Sequence, residues 1–197
     1  MKISTLYGNI KLTLQKKMKK LSLEELQRID IETFKNSKKL PVIIILDNIR
    51  SQFNIGSIFR TCDAFRVEEL ILCGITAQPP SREIEKSALG ATQSVQWKYF
   101  KTTQEAIDYC KNKSFFIAAI EQTDESIDIR NFKINTPDKY AFIFGNEVNG
   151  VDQNIINQCD FCIEIPQFGT KHSFNVAVTS GIVLYDFFVK QSVSLIF

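Results

Sequence analysis

The sequence has one histidine, His172, and one tryptophan in 197 residues. Its five cysteines, Cys62, Cys73, Cys110, Cys159 and Cys162, contain a single C-x-x-C pair. A zinc site on Cys159 and Cys162 needs two more ligands, and His172 is the only imidazole available. Those two cysteines read instead as small hydrophobes at a strand entrance. The N-terminus lacks a continuous apolar stretch and no run reaches membrane-spanning length, so a cytoplasmic protein with reduced thiols and no membrane partner is expected. No G-x-G-x-x-G follows the first strand-like run and there is no P-loop, which disfavours a nicotinamide enzyme of the dinucleotide-binding type. A hydrolytic nucleophile elbow is absent, and the adjacent His172 and Ser173 do not make a dyad. Net charge is only +2 with a pI near 8.2, which does not by itself announce nucleic-acid binding.

What is present is ordinary in bulk: 44% hydrophobic and 23% charged residues, enough for one buried core and a short appendage. The basic charge is unevenly placed. Lys11 to Lys20 carries five lysines and no acid, and Lys35, Lys38 and Lys39 follow. Either a solvated helix face or a phosphate-contacting patch fits this. Residues 1–40 read as a basic helical extension, in which Ser22 and Glu25 form a capping box opening a helix through about Lys35, with Pro41 ending the arm. Residues 41–197 read as the main domain.

From Val42 a strand–helix alternation begins. Val42–Leu46 is continuously apolar, as expected for a strand covered on both faces of a parallel sheet. Residues 54–65 have helical spacing, with Ile55, Ile58, Phe59, Cys62 and Phe65 on one face. Strands are expected at Glu69–Cys73, Val95–Phe100, Phe115–Ile120, Tyr140–Phe144 and Phe161–Ile165, with helices at 81–89 and 103–112. Residues 121–139 read as a polar loop. A helix from Phe174 to Lys190 is apolar nearly all round and has to be covered on most sides. The pattern is α/β with a mainly parallel sheet and helices on both faces.

In such sheets ligands bind beyond the carboxyl ends of the strands. Three post-strand segments concentrate Gly, Asn and charge: Asp47–Arg60, Gly145–Gly150 and Pro166–Asn175. Asn54 is a plausible helix N-cap, and Gly56 permits close approach of a ligand or another backbone. Arg60 lies roughly 160° from the apolar stripe and points away from the core. Gly145 and Gly150 bracket Glu147 in what is either a tight turn or a ligand loop. Ser173 and Asn175 stand at the mouth of the apolar helix, where both are candidate caps.

In order and spacing these segments resemble the three motifs of the SpoU/TrmH family of the SPOUT superfamily: Asn54-Ile-Gly-Ser-Ile-Phe-Arg60, Phe144-Gly-Asn-Glu-Val-Asn-Gly150, and Ile165-Pro166 through Ser173-Phe-Asn175. The resemblance covers roughly residues 41–190. It implies a deep C-terminal trefoil knot, a homodimer formed through the knot and the C-terminal helix, and S-adenosyl-L-methionine as methyl donor, with no metal. The implied activity is methylation of a ribose 2′-hydroxyl in tRNA or rRNA. Gly145, Ile165 and Phe174, with Phe144, Asn146, Gly150 and Pro166, match the donor site. Arg60 matches the residue assigned to the 2′-hydroxyl and nearby phosphate, while Asn54, Glu147, Ser173 and Asn175 match residues that shape the pocket and orient the substrate. Guanidinium is a poor base, so proton removal and phosphate positioning both stay open for Arg60. Phe174 and Gln167 depart from the family pattern, a leucine and a commonly apolar residue respectively. A chain of this length is not expected to carry the separate N-terminal RNA-binding domain seen in many ribosomal-RNA members of the family, for which the arm 1–40 is a candidate substitute. The alternatives are a non-catalytic RNA-binding paralogue and a base methyltransferase of the same superfamily.

Overall fold

The computed structural model describes residues 18–22 and 24–194, which fall into two compact units divided after Asp30. In the first, the expected capping box forms: the Ser22 N–H donates to Glu25 Oε2 at 2.8 Å, and the Glu25 N–H donates to Ser22 Oγ at 3.3 Å. It does not open the helix expected through Lys35. Residues 24–27 form a turn with Gln27 at φ 46°, and helix appears only at Ile31–Asn36 (α1). A short helix is marginal in water without an apolar face to bury. Every described residue from 18 to 30 is exposed, whereas Phe34 of α1 is buried. Lys11, Lys16 and Lys17 lie outside the described residues. Of the second lysine group, Lys35 and Lys38 are exposed, but Lys39 turns inward and donates to the Phe34 carbonyl at the end of α1. Burial, and then Arg66, push its pKa down.

Pro41 does not end the arm; it lies inside β1 (Leu40–Asp47). Pairing of β1 with its neighbour is irregular between Leu40 and Ile43, where proline has no N–H to donate. The chain continues through α2 (Gln52–Ala64), β2 (Val67–Cys73), α3 (Arg82–Ala88), α4 (Ala91–Ser94), β3 (Trp97–Phe100), α5 (Thr103–Asn112), β4 (Phe115–Ile120), β5 (Ile127–Asp128), β6 (Lys139–Phe144), α6 (Gln153–Ile156), β7 (Phe161–Glu164) and α7 (Val176–Ser194). The expected strands and long helices are all found, with ends shifted by a few residues. The single turns α4 and α6, and the two-residue β5 inside the segment read as a loop, are too short to carry a periodic signal.

The seven strands form one sheet in the order β3-β2-β1-β6-β4-β7-β5, with every pairing parallel. The apolar run of β1 divides between two cores. Val42, Ile44 and Leu46 pack on the side of α2 and α7, and Ile43 and Ile45 on the side of α5. All five are fully buried, which is why the run does not alternate with polar residues. Helix α7 packs through Val183, Leu184 and Phe187, the last against the rings of Tyr140 and Phe142 at 5.6 and 5.8 Å. Its other side is half-exposed: Val178, Tyr185, Phe188 and Val189 are 40–60% exposed, with the Phe188 ring 5.8 Å from that of Phe65. Among the described residues, no helix is long and apolar enough to cross a membrane.

Helices α2 and α3 approach each other at Gly56. A Cβ there would lie 2.1 Å from Ser87 Oγ and 2.3 Å from the Ile84 carbonyl oxygen. The partner of the close approach is therefore a helix backbone. Gly56→Ala is expected to destabilise the protein by about 1–3 kcal/mol through overpacking. Equilibrium unfolding in urea checks this, and an unchanged midpoint would refute it.

Candidate active site

The three motif-bearing segments converge on one side chain. Asn54 sits in the first turn of α2 and is buried. It is not the N-cap; that is Ser51, whose Oγ accepts the Asn54 N–H at 3.3 Å. The Asn54 side chain is thereby free for longer-range bonds. Its Nδ2 donates to Glu147 Oε1 at 3.3 Å, and its Oδ1 accepts from Asn175 Nδ2 at 3.2 Å.

The polarity of this chain is fixed from one end. Asn175 caps α7, its Oδ1 accepting the N–H groups of Ala177 at 2.9 Å and Val178 at 3.4 Å. With that oxygen engaged by donors, the Asn175 amide nitrogen has to point at Asn54. Asn54 must then offer its oxygen to Asn175 and its nitrogen to the Glu147 carboxylate. Each amide has one orientation that satisfies both neighbours.

Beside this chain lies a cleft of about 720 Å³ at the carboxyl ends of β4, β6 and β7. A volume of that size suits a nucleoside-sized ligand. Of the residues expected at a donor site, Phe144, Gly145, Asn146, Gly150, Ile165 and Phe174 line it; Pro166 does not. Of those expected to act on substrate, Glu147, Ser173 and Asn175 line it, whereas Asn54 and Arg60 do not. Asn54 acts from behind, through its two hydrogen bonds. Arg60 is exposed on α2, about 9 Å along the helix from Asn54, and has no hydrogen-bond or ion-pair partner among the described residues.

Backbone shape sets the wall of the cleft. Asn146 Oδ1 accepts the N–H groups of Val148 and Asn149 at 3.0 and 2.9 Å, folding the loop back so that the Gly150 N–H reaches the Asn146 carbonyl at 3.0 Å. The returning chain runs so close that a Cβ on Gly145 would lie 2.1 Å from the Gly150 carbonyl carbon. The residue most clearly missed by sequence reasoning is Glu121, directly after β4. Its Oε2 accepts the Val151 N–H at 3.1 Å and its Oε1 accepts the Gln122 N–H at 3.0 Å, bracing the same loop. Position after a strand, where ligands bind, was the available signal. Glu164 and Gln167 also line the cleft. Among the described residues its acidic residues are Glu121, Glu147 and Glu164, and no lysine or arginine lines it.

A model of the SpoU rRNA methylase family matches residues 41–185. The chain belongs to this family. It is 30% identical over 155 residues, 79% of its length, to the 23S rRNA (guanosine-2′-O-)-methyltransferase RlmB of Neisseria meningitidis serogroup B. It spans 61–64% of the length of the curated relatives it matches. The crystal structure of the A. aeolicus TrmH/SpoU tRNA modifying enzyme superposes with a TM-score of 0.72 at 27% identity, covering 83% of this chain and 81% of that one. The AdoMet-bound rRNA methyltransferase of Sinorhizobium meliloti gives 0.70 at 25% identity, covering 76% and 56%. The SpoU fold accounts for all three motif segments, since each lies within the matched span.

Next to the site, at the end of β1, Asp47 is 3% exposed and accepts hydrogen bonds from Thr103 Oγ1 and Asn48 Nδ2 at 2.5 and 2.7 Å. Burial raises its pKa, the hydrogen bonds only partly offsetting it. A carboxyl whose folded pKa is raised contributes stability that is complete below its unfolded pKa and lost as pH rises through the folded value. Asp47→Asn, which keeps an accepting oxygen, is therefore expected to raise the unfolding temperature at neutral pH, with the gain disappearing in acid. Thermal unfolding from pH 4 to 8 tests it, and a gain that persisted at pH 4 would refute the assignment. Asn54→Ala should cost about 1–3 kcal/mol, the penalty of stranding hydrogen-bonding partners, in equilibrium unfolding.

Proposed function

We propose that this protein transfers the methyl group of S-adenosyl-L-methionine to a ribose 2′-hydroxyl of tRNA or rRNA in the cytoplasm. The carrying observation is the convergence of the three motif segments, through Asn54, on one nucleoside-sized cleft. The ribose target is supported by the relative named as a guanosine-2′-O-methyltransferase, and the donor by the AdoMet-bound neighbour.

The cleft suits the donor. Adenosine would lie against the backbone of Gly145, Ile165 and Phe174, where Gly145 has no room for a side chain. Phe174, 42% exposed, offers a ring where the family usually has leucine. The acidic lining suits a sulfonium cation better than an anion. The donor brings an activated methyl group, so the protein has to bind, align and manage a proton. Arg60, exposed and without a partner among the described residues, is assigned to an RNA phosphate, in keeping with a guanidinium's bidentate geometry. Ser173 and Asn175 orient the ribose. The basic arm 1–40 adds non-specific phosphate contacts.

The half-exposed side of α7, with Val178, Tyr185, Phe188 and Val189, is assigned to a homodimer interface. The deep trefoil knot implied by the family resemblance completes this reading of residues 41–197.

Incubation with labelled donor and unfractionated tRNA or rRNA, followed by nuclease digestion and mass spectrometry, tests the activity. A 2′-O-methylnucleoside is the expected product. A methylated base would transfer the reading to base chemistry, and RNA binding without incorporation would indicate a non-catalytic paralogue. Arg60→Ala is expected to abolish turnover while donor affinity by calorimetry is unchanged, because Arg60 lies outside the cleft lining; near-wild-type turnover would refute its role.

A further inference from the structure

His172 is the only histidine of the chain, and it lines the cleft together with Ser173, Asn175 and Glu147. It is exposed, and no hydrogen bond or ion pair holds it among the described residues. The chemistry proposed above leaves one task without a suited group. A ribose hydroxyl must lose its proton as it takes the methyl group, and that proton needs an acceptor beside the 2′-oxygen. Arg60 is outside the lining, and a guanidinium stays protonated throughout the working range of pH. Imidazole is the side chain that exchanges a proton near neutrality. The carboxylates of the cleft are committed elsewhere in two of three cases: Glu121 braces the 145–151 loop, and Glu147 accepts from Asn54.

We propose that His172, a residue of the loop between β7 and α7 that lines the donor cleft, accepts the 2′-hydroxyl proton during methyl transfer. The inference rests on the ribose methyltransferase reading. In the step, the 2′-oxygen forms a bond to the methyl carbon as the sulfur–methyl bond breaks. The bonding pair returns to sulfur, which becomes a neutral thioether. The hydroxyl proton passes to a ring nitrogen of the neutral imidazole and then to solvent, so charge and atoms balance. The charged groups that share the cleft lining with His172 are Glu121 after β4, Glu147 after β6 and Glu164 at the end of β7, and its chain neighbour is Lys171. An imidazolium formed there shares its cleft with three carboxylates, whose charge favours the cation. The loop is anchored at its two ends, by Ile165 packed against the core and by the Asn175 hydrogen bonds, and among the described residues no hydrogen bond holds the exposed His172 between them.

The test uses the full-length protein, labelled S-adenosylmethionine and unfractionated tRNA and rRNA, with single-turnover rates from pH 5.5 to 9. His172→Gln and His172→Asn are compared with wild type, and donor affinity and thermal unfolding are measured for each. The expected result is a loss of about 10²- to 10⁴-fold in the rate of methyl transfer, the usual contribution of a positioned base. Unfolding temperature should be unchanged, and the loss is read at saturating donor so that any change in donor affinity is kept apart from it. The wild-type rate should fall on the acid side, and that limb should be absent from both variants, whose residual rate climbs with pH as hydroxide takes over. A variant with near-wild-type rate, or one that is slow yet keeps the wild-type acid limb, overturns the assignment while leaving the ribose methyltransferase reading intact. Wild-type protein that forms no 2′-O-methylnucleoside on either RNA overturns both.

Discussion

The candidate site depends on a hydrogen-bond chain only three side chains long. Asn175 caps α7 and so has its oxygen committed; Asn54 bridges; Glu147 receives. These residues lie 93 and 121 positions apart from Asn54, so no local propensity brings them together. Because each amide can satisfy its neighbours in only one orientation, the chain acts as a register pin. It fixes the turn of the loop after β6 against the first turn of α2 and against the start of α7. The cleft that lies beside it inherits that geometry.

The sheet makes such a chain possible. Strands β6, β4 and β7 are consecutive in the sheet and all parallel, so their carboxyl ends open on the same edge. Loops of very different sequence position are thus delivered side by side. Two tight backbone approaches then remove alternatives: α3 against Gly56, and residues 150–151 against Gly145. Neither tolerates a side chain without movement. Glu121 adds a brace from β4 to the loop after β6, tying neighbouring strands at the point where ligand is expected.

Burial also sorts the cysteines. Desolvation pushes the thiols of Cys73, Cys110 and Cys159 up to about 12, so at neutral pH they stay protonated and behave as small apolar side chains. The same logic sets Lys39 apart from the other lysines of its group. It spends its charge on a helix carbonyl, leaving Lys35 and Lys38 facing solvent.

The strands and main helices were legible in the sequence because their signals are local: apolar runs, helical spacing and post-strand glycines. So were most cleft residues, from Gly145 to Asn175, because the motif order marked them. The arm misled because a capping box is also local, and starting a turn is not the same as sustaining a helix that has no face to bury. The elements β5, α4 and α6 were invisible because two to four residues cannot establish a period. What only the tertiary structure decided was division of labour within the motifs. It placed Asn54 behind the cleft as a bridge instead of at the helix cap, left Arg60 and Pro166 outside the lining, and brought in Glu121 and His172. Those outcomes depend on which strand ends stand side by side and on which amide oxygens are already engaged. Neither is encoded in any window of the sequence, because each is a pairing between segments that meet only when the sheet closes.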